Sequence, residues 1–177
     1  MKRRTARLIR VFRSPLDRTK GRLRGPGLDL PCALGRSGVA RAKREGDGVT
    51  PAGRFKALAA LYRPDRLRRP ATCLPLARIR PDLGWSDDPA DRRYNRQIEL
   101  PAACGHERMW RDDALYDLVL DLSYNRGPIR RGRGSAIFLH SARPGFLPTE
   151  GCVAIDRRRI RDLVERIGPD TVFEVVG

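Results

Sequence analysis

The sequence predicts one mainly β domain, a β-sandwich with a single amphipathic helix near the C-terminus and a long irregular excursion in the middle. Three observations carry this expectation. Short apolar runs alternate with polar residues at period two along much of the chain, which is the pattern of half-buried strands. Only one stretch obeys the helical i, i+3, i+4, i+7 rule, so a helical bundle is excluded. Gly 17 and Pro 14 punctuate the rest with turns, without the regular strand–helix alternation of a parallel α/β fold. At 177 residues the chain has the size of one domain, spanning 1–177.

Residues 6–13 set Leu8 and Phe12 against Ile9 and Val11 with arginines between, which predicts a first strand at a sheet edge. A Gly25-Pro26-Gly27 turn then leads into Leu28, Leu30, Cys32 and Leu34. Residues 35–53 hold too many turn formers for regular structure, and Phe55 to Tyr62 reads as the next strand. From Arg63 to about Asp113, prolines at 64, 70, 75, 81, 89 and 101 leave only a short strand near Cys73–Ile79 inside an irregular excursion. Loops of that length tend to be functional.

Tyr116, Leu118, Leu120 and Leu122 alternate with Asp117, Val119 and Asp121, which predicts a strand with one apolar and one mixed face. Ser135 to His140 reads as a second, more buried strand. Ile160, Leu163, Val164 and Ile167 mark the helix, with Asp156 as its N-cap and Gly168-Pro169 as its stop. Thr171 to Val176 closes the chain as a strand.

Composition excludes several functions. No apolar run approaches the roughly 18 residues of a membrane span. The start, MKRRTARLIRVFRSPLDR, has a basic beginning, but arginines interrupt the apolar core of an export signal, so the expected compartment is the cytoplasm. Export to the periplasm is the alternative if the true start lies elsewhere. Four cysteines at 32, 73, 104 and 152 are too widely spaced for a Cys-x-x-Cys knuckle and are expected to be reduced thiols. One Cys104-x-His106 pair lacks the second close pair of a structural zinc site, so no metal is expected. The net charge of +16 admits a basic nucleic-acid-binding module. Against that class, the 33 arginines are scattered, and aromatics make up only 6% of the chain.

The chemistry lies in Ile137-Phe-Leu-His140-Ser141 and Thr149-Glu150-Gly151-Cys152-Val153. A cysteine nucleophile needs a base or a positive neighbour to hold its thiolate, and a histidine brought close by a short excursion supplies both. Gly151 lets backbone N–H groups approach a substrate carbonyl, as acyl transfer requires. On residue types alone a buried structural cysteine and a satisfied strand histidine remain the competing reading.

At these residues the chain resembles the L,D-transpeptidase (YkuD-type) family, whose pattern is His-Gly or His-Ser at a strand end followed by Ser/Thr-x-Gly-Cys. His140-Ser141 and Thr149-Glu150-Gly151-Cys152 match in order, and Gly48-Val-Thr-Pro-Ala-Gly-Arg-Phe55 is similar to the family's Thr-Pro-x-Gly-x-Phe stretch. The resemblance covers about residues 30–176. It implies a β-sandwich catalytic domain that cleaves the bond between a diamino acid and D-alanine in peptidoglycan stem peptides or muropeptides.

By the same resemblance Cys152 is the nucleophile and His140 the base. The Ser141 backbone orients the imidazole, Gly151 and the amides beside Cys152 form the oxyanion site, and Thr149 shapes the loop. No cofactor is implied. The chain departs from the pattern at Glu150, where many members have His, at Ala154, where Arg or Asn is frequent, and in the short interval of 12 residues from His140 to Cys152. Arg143 is then the nearest candidate to meet substrate carboxylates. His106-Glu107 with Trp110, and Trp85-Ser-Asp-Asp88, are candidates for a lid that supplies the missing imidazole. Transpeptidation to an acceptor amine and hydrolysis by an L,D-carboxypeptidase both fit the motif.

Overall fold

A computed structural model describes residues 5–177; residues 1–4, which include the basic Lys2, Arg3 and Arg4, lie outside the described part. Strands dominate, as the period-two patterning predicts. In chain order they are β1 (Leu8–Arg13), β2 (Lys20–Gly25), β3 (Leu28–Ala33), β4 (Val39–Ala40), β5 (Thr50–Pro51), β6 (Gly53–Tyr62) and β7 (Leu76–Arg78). Then follow β8 (Leu83–Ser86), β9 (Gln97–Glu99), β10 (His106–Arg108), β11 (Leu118–Leu122), β12 (Phe138–Ser141) and β13 (Val153–Ile155). The helix α1 (Arg157–Arg166) precedes the last strand, β14 (Val172–Val176). Among the described residues no helix is long and apolar enough to cross a membrane.

The main sheet runs β11-β12-β13-β3-β2-β1-β14-β6-β7, and β6 also pairs with β11. That extra pairing closes the sheet on itself, so the expected sandwich is barrel-like. Closure is possible because β6 is long: its first residues pair with β14 and its later ones with β11. The inward faces make one core of Ile9, Val11, Leu23, Leu30, Phe55, Leu118, Leu120, Leu139, Val153 and Phe173. Helix α1 adds Ile160, Leu163 and Val164 to the same core, Ile167 just after it adds a fourth side chain, and Asp156 caps the helix by accepting from the Arg158 amide at 2.8 Å.

Three expectations change. β1 is not an edge strand: it lies between β2 and β14, with Arg10 on the outer face, where it meets Glu174 at 2.8 Å. β2, whose only large apolar residue is Leu23, carries too weak a pattern to read from sequence, yet it forms a hairpin with β3 through the Gly25–Gly27 turn. The excursion after Arg63 is not wholly irregular, since β10, β8 and β9 form a small antiparallel sheet within it.

That small sheet explains why β11 is buried along its whole length rather than on one face. Val119 and Phe138, on the outer face of β11 and β12, form a second core with Leu61, Ile79, Leu83, Trp85, Met109, Tyr116 and Cys152. Asp121 shares this covered face and is only 4% exposed, paired with Arg126 at 3.1 Å while Arg126 lies over the Trp85 ring at 4.8 Å. Burial raises the Asp121 carboxyl to about 6, with Arg126 opposing. The folded state then holds a proton between about pH 4 and 6 that the unfolded chain releases, so this group's contribution falls as pH rises through that window. Denaturant titrations are expected to show wild type losing about 1.3 kcal/mol relative to Asp121→Asn between pH 5 and pH 7. A pH-independent difference would contradict this account.

Candidate active site

β12 and β13 run parallel, with Leu139 opposite Val153 and His140 opposite Ala154. Opposed residues share a face and alternation does the rest, so Phe138, His140, Cys152 and Ala154 all project outward, beneath the cover sheet. From strand spacing and rise, Cys152 and His140 are diagonal neighbours with Cα atoms about 8 Å apart, a span their side chains can bridge. Both line one cavity of about 320 Å³.

Cys152 directly precedes β13 and is 8% exposed. Its thiol donates to the Ala136 carbonyl at 3.2 Å, and its sulfur accepts from the Phe138 amide at 3.4 Å. Burial pushes the thiol up to about 12; the Phe138 amide and Lys43 oppose the shift, and Glu107 adds to it.

His140 is 6% exposed, and burial lowers its pKa to about 4, with the Ser141 carbonyl opposing and the Arg111 and Arg143 charges reinforcing the drop. Its Nδ1 lies 2.8 Å from the Ser141 carbonyl. A carbonyl only accepts, so Nδ1 carries the proton and Nε2 is left with a free lone pair. Tyr116 packs against the imidazole in a T-shaped contact, 5.2 Å between ring centres, and fixes its plane.

The pair is therefore a neutral thiol and a neutral imidazole at rest, not the preformed thiolate that a cysteine nucleophile suggests from sequence. The physical reason is desolvation, which penalises both charged forms and separates the two pKa values in the direction that suppresses ion-pair formation.

The loop before Cys152 is held by one hydroxyl. Thr149 Oγ1 donates to the Cys152 carbonyl at 2.7 Å and accepts from the Gly151 amide at 3.2 Å. The Thr149 backbone in turn bonds to Leu34 and Arg36, and Thr50 Oγ1 accepts from the Gly35 amide at 2.7 Å in the buried space behind. Gly151 has φ 134, and a Cβ there would lie 2.7 Å from the Val49 carbonyl. Glycine is needed at 151 for this approach to the chain's own backbone. Its N–H is engaged by Thr149, which leaves the Cys152 amide as the candidate oxyanion donor.

The remaining sequence candidates separate. Arg143 is exposed on the cavity rim. Glu150 also reaches the rim, but its side chain is 79% exposed and pairs with Arg36. Ser141 contributes its carbonyl, while its side chain faces the opposite way. His106 does not line the cavity: its Nδ1 lies 2.8 Å from the Cys104 carbonyl, and alternation along β10 gives that position to Glu107. Trp85 is fully buried packing and Trp110 lies under the Arg63 guanidinium, so neither is a mobile lid. All four cysteines are free.

Sequence reasoning missed Lys43, Arg111 and Tyr116 and placed Glu107 in a lid, yet all four line the cavity. Lys43 is 3% exposed and paired with Asp47 at 2.9 Å. Burial raises the Glu107 carboxyl, with Arg111 opposing at 3.2 Å, and burial likewise holds the Tyr116 hydroxyl well above its ordinary value.

The sequence model of the L,D-transpeptidase catalytic domain matches residues 13–176. The chain belongs to that family. Among solved structures, an L,D-transpeptidase from Mycobacterium smegmatis is similar at 12% identity with a TM-score of 0.46, covering 97% of this chain and 59% of that one. This chain thus spans less than two thirds of that protein's length. No curated protein matches. The two short motifs of this L,D-transpeptidase domain, around Thr50 and around Cys152, are tied together by the Thr50 hydroxyl, which donates to the Cys152 carbonyl at 3.5 Å.

Two outcomes follow from the geometry. Thr149→Val, which keeps the side-chain shape, is expected to destabilise the domain by about 1–3 kcal/mol in denaturant titration, because the Cys152 carbonyl and Gly151 amide lose their partner. Alkylation of the native protein near pH 8 is expected to label exposed Cys73 before buried Cys152, reversing the order that the signature alone suggests. Faster labelling of Cys152, read by peptide mass spectrometry, would show a thiolate at rest.

Proposed function

We propose that this domain performs L,D-transpeptidase-type acyl transfer on peptidoglycan stem peptides through a thioester on Cys152. The observation that carries the reading is the common outward face of β12 and β13. It gives a cysteine and a histidine with a free Nε2 one cavity, and the Ser141 carbonyl fixes the other ring nitrogen.

In the first half-reaction Cys152 Sγ attacks the carbonyl that joins the diamino acid's L-centre to D-alanine, and its proton passes to His140 Nε2. Because neither group is charged beforehand, proton transfer accompanies attack. The oxygen of the tetrahedral intermediate faces the Cys152 amide. Collapse breaks the C–N bond, His140 returns the proton to the departing amine, and D-alanine leaves with the thioester formed. In the second half an acceptor nucleophile loses its proton to His140, attacks the thioester carbonyl and restores the thiol. An amine acceptor gives a cross-link; water gives a trimmed tripeptide. Arg143 on the rim is suited to a substrate carboxylate, and exposed Leu147 beside it supplies apolar contact.

The test is incubation with a tetrapeptide ending in diaminopimelate and D-alanine, followed by mass analysis of protein and products. A thioester adduct on Cys152 with D-alanine release is expected, and the product separates cross-linking from trimming. Cys152→Ala is expected to fold and form no adduct; turnover by that variant would overturn the mechanism. His140→Ala is expected to lower acylation by about 10²–10⁴-fold. In wild type the acid limb should lie near pH 4 and not near 6.5, because the folded imidazole takes its proton only there.

A further inference from the structure

Directly behind the catalytic strand lies a second, smaller cavity of about 220 Å³, lined by Leu67, Asp117, Leu118, Ser141, Ile160 and three arginines, Arg157, Arg158 and Arg161. It sits where the first turns of α1 pack over β11 and β12. His140 projects from β12 into the reaction cavity, so its neighbour Ser141 projects the opposite way, into this space.

Ser141 is 1% exposed, and its Oγ has no hydrogen-bond partner. A buried hydroxyl without a partner is destabilising, and the fold keeps one where apolar residues would pack. The surroundings are cationic. Asp117 is the one acid lining the cavity, and it is already engaged by Arg157 at 2.7 Å and Arg66 at 2.9 Å. Arg161 reaches Glu165 at 3.1 Å, and Arg158 has no carboxylate partner among the described residues. The positive end of the α1 dipole adds to the same field.

We propose that this cavity binds a small oxyanion, a carboxylate or a phosphate group, that accepts from Ser141 Oγ and from the Arg158 and Arg161 guanidiniums. Its body rests on Leu67, Leu118 and Ile160. Because the Ser141 carbonyl holds His140 Nδ1, an anion drawn onto Ser141 acts on the strand residue that sets the imidazole's position. The site does not depend on the proposed reaction, and its test does not use turnover.

The experiment is a titration of the full chain with inorganic phosphate at constant ionic strength near pH 7.5, followed by the histidine ring resonances in NMR. His106, held elsewhere by the Cys104 carbonyl, serves as the internal reference. A saturable shift of the His140 resonances is expected with phosphate or with acetate and not with chloride. The arm that saturates at lower concentration identifies the anion class. Arg158→Ala and Arg161→Ala, both surface changes, should each weaken binding about tenfold, the equivalent of about 1.4 kcal/mol. Arg143→Ala, on the reaction cavity, should leave binding unchanged. The proposal is overturned if neither anion gives a saturable shift, in which case the cavity holds water alone. It is equally overturned if the shift survives Arg158→Ala combined with Arg161→Ala, or disappears in Arg143→Ala.

Discussion

The T-shaped contact of Phe138 with Trp85, 5.0 Å between ring centres and nearly perpendicular, joins the two halves of the molecule. Phe138 belongs to the closed sheet and Trp85 to the cover that folds back over it. An outer barrel face carrying Val119, Phe138 and Leu61 cannot be left to water, and the excursion after Arg63 answers that need. Tyr116 meets Phe138 in the same edge-on manner at 6.0 Å and then meets His140, so the aromatic packing that seats the cover also sets the imidazole.

The same cover sets the electrostatics. It excludes enough water from the face of β12 and β13 that the thiol is driven up and the imidazole down. Charge is kept around the pair instead: Lys43 and Arg111 line one cavity with Glu107 and Asp87, each lysine or arginine held by a nearby carboxylate. A site of this kind stores its polarity in the walls, where it is preorganised, and leaves the reacting groups uncharged until a substrate carbonyl arrives.

The strands on which the site is built, β11 and β12, the single helix with its Asp156 cap, and the nearness of His140 to Cys152, which line one cavity, were legible in the sequence. These features are local: each is written within about a dozen consecutive residues. Closure of the sheet was not legible, because it depends on β6 pairing with two distant strands and no residue in Gly53–Tyr62 announces that. β2 escaped for a simpler reason, since Arg22 and Arg24 on the outer face leave Leu23 as its one large apolar signal. Lys43 and Glu107 lie 109 and 45 residues before Cys152, and only the folded chain brings them to its cavity. For Lys43 the only available hint was that it is one of four lysines in a chain with 33 arginines.

The approach of Gly151 to the Val49 carbonyl, with Thr50 bridging the Gly35 amide and the Cys152 carbonyl, makes the two motifs one mechanical part. Neither can be transplanted alone. A designer who grafts the nucleophile loop onto another β scaffold must carry the 35–50 segment with it, because the wall that shapes the loop is built from residues a hundred positions upstream.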